Sequence, residues 1–312
     1  MILGKIDNLN MKIYLIGVGG VGGFYGGLLA ESGADVTLVS RGESFVAIRK
    51  SGLVLNCSDG ERRVFPVKVI EHVSEIIDPD LIILAVKSYN LEEVSRGLER
   101  VINDDTIVIT IQNGLENDMV VSRHIHCQVL PGLVLVAASK TAPNKVNQRG
   151  SQRKLVFGAR SGEITTKMRE VESVLKSAGI DAHVSESITQ ELWKKFLFVL
   201  SFASATVVQM GPIGEALNNP QSLKVYKDVL RETITVGKGE GIEFEPDIFD
   251  VTLKGALDFD PLTKSSLLVD IQNHRQTEVE ALHGVLVRLA ERYNLPVPVT
   301  YSIYKRILKL RG

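Results

Sequence analysis

Two groups of residues in this chain have the types and spacing to do chemistry. The first is the turn Gly17-Val18-Gly19-Gly20-Val21-Gly22. Glycine at 17, 19 and 22 is the G-x-G-x-x-G spacing. Gly17 allows a tight turn out of a strand, and Gly19 lets the backbone approach a pyrophosphate. Gly22 lets the following helix pack hard on the strand. An anion then sits at the helix N-terminus, where N–H groups and the dipole favour it. The whole turn, Gly17 through Val18, Gly19, Gly20 and Val21 to Gly22, is the candidate cofactor loop.

The second group is Lys195 with a polar stripe further on. Positions 198, 199 and 202, one and two turns beyond the lysine, are Phe, Val and Phe. A lysine over such a face is partly desolvated. Desolvation lowers its pKa toward the range of a working proton donor. The spacing fits equally well a solvated pair, Lys194 and Lys195, with stems lying along apolar surface. Ser266, Asp270, His274 and Glu278 recur every four residues, which puts them on one face of the long helix expected there. A solvated outer face produces the same pattern.

The elements that must position these groups follow from periodicity. Ile13 to Ile16 is a short apolar run before the glycine turn, and Asp35 to Val39 is a second. A helix lies between them, with Gly33 as its stop. Leu81 to Val86 and Thr106 to Ile111 are further buried strands, with a helix from about 91 to 101 between them. A helix is expected over 42–51, a β-excursion over 53–69, and strands over 129–138 and 154–158. A polar stretch over 141–153 separates that last pair. A helix over 165–177 and a strand near 182–184 close this half. Alternating strands and helices argue for an α/β fold, a Rossmann-type doubly wound parallel sheet. Ligands bind such sheets beyond the carboxyl ends of the strands, where Gly19, Ser40, Arg41, Lys87 and Asn113 stand.

The end of the second strand selects the cofactor. NAD-binding sheets usually carry an acidic residue there for the ribose hydroxyls. This chain has Ser40-Arg41-Gly42. A guanidinium can hold a 2′-phosphate with two parallel hydrogen bonds, so NADP (NADPH) is expected rather than NAD. A solvated loop cation is the other reading of Arg41.

The second half reads as helix throughout. Ser185-Glu186-Ser187 has the character of a cap and boundary. The helix from 188 to about 208 is apolar nearly all round, which marks a buried helix. Further helices are expected over 221–240, 246–256, 262–293 and 300–310, with Met210-Gly211-Pro212 as a break. Residues 1–10 read as an N-terminal extension, 11–186 as the NADP-binding domain and 187–312 as an all-α substrate and catalytic domain.

Composition narrows the functions. With 312 residues, 44% hydrophobic and a formal net charge of -1, the chain can bury real cores and presents no basic field for nucleic acid. No apolar run reaches membrane-spanning length, and no signal-peptide core precedes the first strand. A cytoplasmic location is the default expectation. Cys57 and Cys127 stand alone, and the pair His124 and His126 is no metal site by itself.

Taken in order, Gly17-x-Gly19-x-x-Gly22, Lys87, Gln112-Asn113-Gly114, Glu191-Leu192-Trp193-Lys194-Lys195, and Asp270-Ile271-Gln272 through Thr277-Glu278 resemble the 2-dehydropantoate 2-reductase (ketopantoate reductase) family. The resemblance runs from Met11 to the C-terminus. It implies an NADP-binding domain, a helical domain, a cleft between them, and reduction of ketopantoate to pantoate on the way to pantothenate and coenzyme A. By resemblance Lys195 matches the catalytic lysine, Glu278 the cleft carboxylate and Ser266 a substrate-contacting serine. Asn113 and Lys87 match residues at the cofactor and substrate mouth. The expected ligand is a small-molecule 2-oxo acid, with neither nucleic acid nor membrane as partner, and the apolar second half permits a homodimer.

In one respect the chain departs from the family. Well-studied ketopantoate reducers have asparagines one and two turns past the lysine and in the following loop, where this chain has Val199, Ala203 and Ile213. A different, less polar 2-oxo acid or ketone is therefore the alternative substrate. A non-enzymatic NADP sensor is the alternative from another class.

Overall fold

The strands form where unbroken apolar runs can be buried on both faces. The computed structural model describes residues 11–310; the expected extension 1–10 lies outside them. The chain divides into two compact units. One runs to Gln112 and resumes over Asn117–Ile188; the other takes Asn113–Glu116 and the chain from Thr189 onward.

The first unit is a mixed α/β layer structure. Its elements in order are β1 (Ile13–Ile16), α1 (Gly20–Glu31), β2 (Val36–Val39), α2 (Gly42–Ser51), β3 (Leu53–Cys57), β4 (Gly60–Val64), β5 (Lys68–Ile70), β6 (Leu81–Leu84), α3 (Leu91–Leu98), β7 (Ile107–Thr110), α4 (Asn117–Ser122), β8 (Gln128–Ala142), β9 (Lys145–Phe157), α5 (Thr166–Ser177) and β10 (Asp181–Val184). Six strands run parallel in the order β5-β2-β1-β6-β7-β8. Alternate side chains enter opposite cores, as a period of two requires. Ile13, Leu15, Leu81, Ile83, Ile107 and Ile109 pack with α1 and α5 on one face. Tyr14, Ile16, Ile82, Leu84 and Val108 pack with α3 and α4 on the other. Each such aliphatic side chain removed from water contributes roughly 1.5–3 kcal/mol.

The sheet is extended beyond the parallel core. β9 returns antiparallel to β8, with β3 and β10 parallel to β9 and β4 antiparallel to β3. The polar stretch expected over 141–153 is therefore not a connection. It is the far end of β8 and most of β9, paired from Gly132↔Phe157 to Ala142↔Lys145 with register shifts between Leu135 and Ala137 and between Lys140 and Ala142. Polarity concealed it: this end of the hairpin is largely exposed, with polar pairs such as Asn56 Nδ2 donating to Asn147 Oδ1 at 2.7 Å.

The second unit is helical: α6 (Ile188–Gln209), α7 (Ile213–Asn218), α8 (Pro220–Gly239), α9 (Ile248–Leu257), α10 (Ser266–Gln272), α11 (Val285–Arg292) and α12 (Pro298–Lys309). Helix α6 is a core element, with Leu197, Phe202 and Ala205 in one cluster with Ile213, Tyr226 and Leu230. Glycine lets α8 approach it closely: a Cβ on Gly237 would lie 3.1 Å from the Trp193 ring and 2.7 Å from Phe244. The Glu232 carboxylate on α8 accepts from the N–H groups of Val299 and Thr300 at 2.9 and 2.8 Å, anchoring the N-terminus of α12.

The single helix expected over 262–293 is not formed. Helix α10 stops at Gln272, and His274 takes the left-handed conformation with φ +53°. His274 N–H donates to Ile271 O at 3.0 Å and Arg275 N–H to Asp270 O at 2.9 Å. This is a Schellman termination, with histidine where glycine is usual. The chain re-enters helix through a π-turn over Glu280–Gly284 before α11. None of the helices in the described residues is long and apolar enough to cross a membrane.

Candidate active-site residues

The glycine turn joins β1 to α1, and its contacts explain its composition. Gly17 has φ +101°, and a Cβ there would lie 2.7 Å from Val86 N. A Cβ on Gly22 would lie 2.1 Å from Gly17 O and 2.7 Å from Ala85 Cβ, so helix and strands touch through backbone. Gly20 is bound just as tightly, 2.4 Å from Ala138 O on β8, a constraint that the motif spacing did not reveal. Gly19 differs: a Cβ there would meet nothing within 4 Å. At this point the backbone is bare toward open space, which fits an incoming pyrophosphate. Val18 is buried and Val21 half-buried against the core, so both offer a ligand only their backbones.

Three polar residues leave the sheet on the same edge. β1, β2 and β6 are in parallel register through Ile16↔Val39 and Ile16↔Leu84. Ser40 and Arg41 follow β2, and Lys87 follows β6 closely. Ser40 is buried, with its N–H donating to Ile70 O at 3.1 Å. Arg41 is exposed and paired with Glu93 at 3.1 Å. Such a surface pair is worth about 0–1 kcal/mol, so the guanidinium can exchange a carboxylate for a phosphate at little cost. Lys87 is half-buried. Asn113 follows β7 by three residues and opens the short segment counted with the second unit. Before it, Gln112 is buried and its Nε2 donates to Leu84 O at 2.8 Å.

In the second unit the two adjacent lysines of α6 separate. Lys194 pairs with Glu245 at 2.6 Å near solvent. Lys195 is half-buried; desolvation pushes its ammonium down to about 8, and the charge of Glu278 acts in the opposite direction. Of the two readings left open by the sequence, the lowered ammonium supports the desolvated lysine.

Glu278 reaches Lys195 because α10 ends early. The Schellman turn is closed by Arg275 Nε on Asp270 Oδ1 at 2.8 Å. Beyond it Thr277 is buried and Glu278 half-buried. The expected stripe is therefore not a stripe. Asp270 is a buried partner of Arg275, His274 is exposed at the turn, and Glu278 arrives by a loop. Ser266 is exposed at the first turn of α10. Its neighbour Ser265 is the buried cap, accepting from Leu268 N–H at 3.1 Å.

Two buried hydrogen bonds tie these segments to α6, and sequence reasoning missed both. Thr206 Oγ1 and Ser265 Oγ lie 2.7 Å apart, joining the lysine helix to the start of α10. Ser204 Oγ and His283 Nε2 lie 2.9 Å apart, joining it to the π-turn just beyond Glu278. Ser204 gives its one proton to Leu200 O at 2.7 Å, so His283 must donate from Nε2. Burial holds His283 neutral, with its pKa down to about 3. The one signal available was the pair His283-Gly284 following Glu278, and a five-residue offset through a π-turn matches no helical template.

Neither cysteine is part of a site: Cys127 is buried with its thiol pushed up to about 11, and Cys57 is raised by burial as well. No cluster of three His, Cys, Asp or Glu able to hold a metal occurs among the described residues.

A nucleotide-type turn in one unit and a desolvated lysine in the other are the division of labour of a two-domain oxidoreductase. The family models agree over most of the chain, "Ketopantoate reductase PanE/ApbA" matching residues 13–162 and its C-terminal counterpart residues 187–310. The chain belongs to the ketopantoate reductase family. It is 28% identical to "Uncharacterized oxidoreductase YkpB" of Bacillus subtilis, over 95% of this chain and 98% of that one. It is also 28% identical to the 2-dehydropantoate 2-reductase of Halobacterium salinarum, over 94% and 96%. A solved structure of D-mandelate dehydrogenase with NADH and anilino(oxo)acetate shares the fold, with TM-score 0.88, 23% identity and coverage of 96% and 98%.

Proposed function

We propose that this protein reduces a 2-oxo acid to the 2-hydroxy acid with NADPH. In this reading residues 11–186 hold the cofactor and 187–312 hold the substrate and supply the proton. The observation that carries it is Lys195, desolvated on α6 with Glu278 beside it. NADPH, when bound, supplies a hydride to the C2 ketone. Gly19 and the first turn of α1 receive the pyrophosphate. Ser40 and Arg41 bind the 2′-phosphate, with Lys87 and Asn113 nearer the nicotinamide end. Lys195 donates a hydrogen bond to the ketone oxygen and then its proton, acting as electrostatic stabiliser and general acid. With a pKa near 8 the ammonium is largely charged at neutral pH and still a competent donor. Glu278 holds the lysine and receives a substrate hydroxyl, and Ser266 contacts the substrate.

Family membership supports ketopantoate as the first substrate to test, which would make the reaction a step toward pantothenate and coenzyme A. A second reading, a less polar 2-oxo acid, is favoured by one observation. Ala203 and Ile213 are buried and Val199 is apolar, so none of the three supplies the hydrogen bonds of the family's asparagines. Each buried polar group of a substrate left without a partner costs about 1–3 kcal/mol. A homodimer is proposed from the apolar second unit.

The test is NADPH oxidation by the purified protein with ketopantoate and a panel of 2-oxo acids, beside Lys195→Ala. Turnover that drops 10²–10⁴-fold in the variant is the expected result for loss of a general acid. NADPH binding without turnover of any 2-oxo acid would leave the sensor reading in its place.

A further inference from the structure

On α6 the face of Lys195 continues through Phe198 and Val199 to Phe202 and then Thr206, at the spacing of one helical side. Phe259, just past the end of α9, closes on the first two rings. Ring centroids are 5.4 Å apart for Phe198–Phe202, and 5.5 Å apart for both Phe198–Phe259 and Phe202–Phe259. The interplanar angles of 35°, 51° and 75° leave ring edges and faces both presented. The cluster is rooted in the core through Phe202, 5% exposed, and opens through Phe259, 40% exposed, and the half-buried Phe198. Its position is fixed at the far end by the Thr206–Ser265 hydrogen bond, which sets the start of α10 and Ser266. The lysine is thus followed along its own face by a partly open aromatic wall.

We propose that this wall is the side-chain subsite, and that the 2-oxo acid carries an aromatic ring on or next to its ketone carbon. The proposal rests on the reading of Lys195 as the proton donor. A flat ring stacks edge-to-face or offset on such a cluster. A branched hydroxylated side chain would instead set its hydroxyl against phenylalanine, where no hydrogen bond is on offer. The reaction balances as a two-electron reduction. NADPH gives a hydride to C2, Lys195 gives a proton to the oxygen, the C=O becomes CH–OH, and NADP⁺ leaves.

The experiment compares kcat/KM for phenylglyoxylate, ketopantoate and 2-oxobutanoate in the native chain, in Phe259→Ala and in Phe259→Trp. Phe259 is exposed enough for both variants to fold. The expected result is phenylglyoxylate preferred over ketopantoate by at least about tenfold. Phe259→Ala should then lower kcat/KM for phenylglyoxylate about tenfold, mainly through KM, and leave 2-oxobutanoate within about twofold. Phe259→Trp should restore most of the loss. Preference for ketopantoate, or an equal fall for all three acids in Phe259→Ala, would overturn the proposal and leave the reductase reading standing. No turnover of any acid would overturn both.

Discussion

The glycine turn and the lysine site are built by opposite means. In the turn the critical contacts are backbone to backbone. Gly22 meets Gly17 O, Gly20 meets Ala138 O and Gly17 meets Val86 N. The absence of a side chain is the specification, and it is written at fixed offsets in one short segment. At the lysine site the specification is carried by side chains brought from α6, a loop and a π-turn. Ser204–His283 and Thr206–Ser265 hold those segments together across 79 and 59 positions of sequence. A local motif announces the first kind of site, and only folding assembles the second.

This contrast makes the two sites separable by mutation. Lys195→Ala should abolish turnover by the factor given above and leave NADPH affinity within about twofold, measured by titrating cofactor fluorescence. Loss of both together would mean that the sites are not independent. Gly22→Ala should do the reverse. Its Cβ has no room against Gly17 O, so the turn must open. We expect NADPH affinity to fall about tenfold or more and stability by roughly 1–3 kcal/mol, read by cofactor titration and denaturant unfolding.

His283 sharpens the comparison from the side-chain end. Its pKa falls from 6.5 to about 3 on burial. Between these values the unfolded chain binds a proton that the folded chain does not. Stability is then lost as pH falls below about 6.5, by up to about 1.4 kcal/mol per pH unit. His283→Leu should flatten that slope in unfolding experiments at pH 4–6.5. It should also lower kcat, because the π-turn beyond Glu278 loses its tether to α6. A wild-type slope unchanged in the variant would remove His283 from the account.

The smallest expected effect lies at Arg41. Its partner Glu93 and a 2′-phosphate would compete for one guanidinium. Arg41→Ala should weaken NADPH by about 3–10-fold and NADH hardly at all. Equal weakening of both cofactors would mean that the residue does not read the phosphate.

Legibility in the sequence followed the same division. Continuous apolar runs such as Ile13–Ile16 and Leu81–Leu84 could only be buried strands, and the parallel core follows from them. The hairpin of β8 and β9 was hidden because its outer half buries few side chains: Val146 and Gln148 are buried and Val136 and Ala138 half-buried, while the tip is polar and exposed, which leaves too short an alternation to detect. The break after Gln272 was hidden because His274 occupies the left-handed position where a glycine would have marked it. Lys195 and Glu278 were legible as residues. What brings them together was not, since Ser204, Thr206, Ser265 and His283 carry no spacing signal and act only across the packed interior.

The most direct test of the central claim, that a desolvated Lys195 coupled to Glu278 donates the proton, is the pH dependence of kcat/KM for NADPH-driven reduction in the native chain and in Glu278→Gln. Desolvation has lowered the lysine, and the charge of Glu278 opposes that shift. The account predicts a plateau at neutral pH and a fall of about tenfold per unit above about pH 8. In Glu278→Gln the falling limb should move to lower pH. A profile that stays flat to pH 10, or a limb that does not move when Glu278 is neutralised, would contradict it.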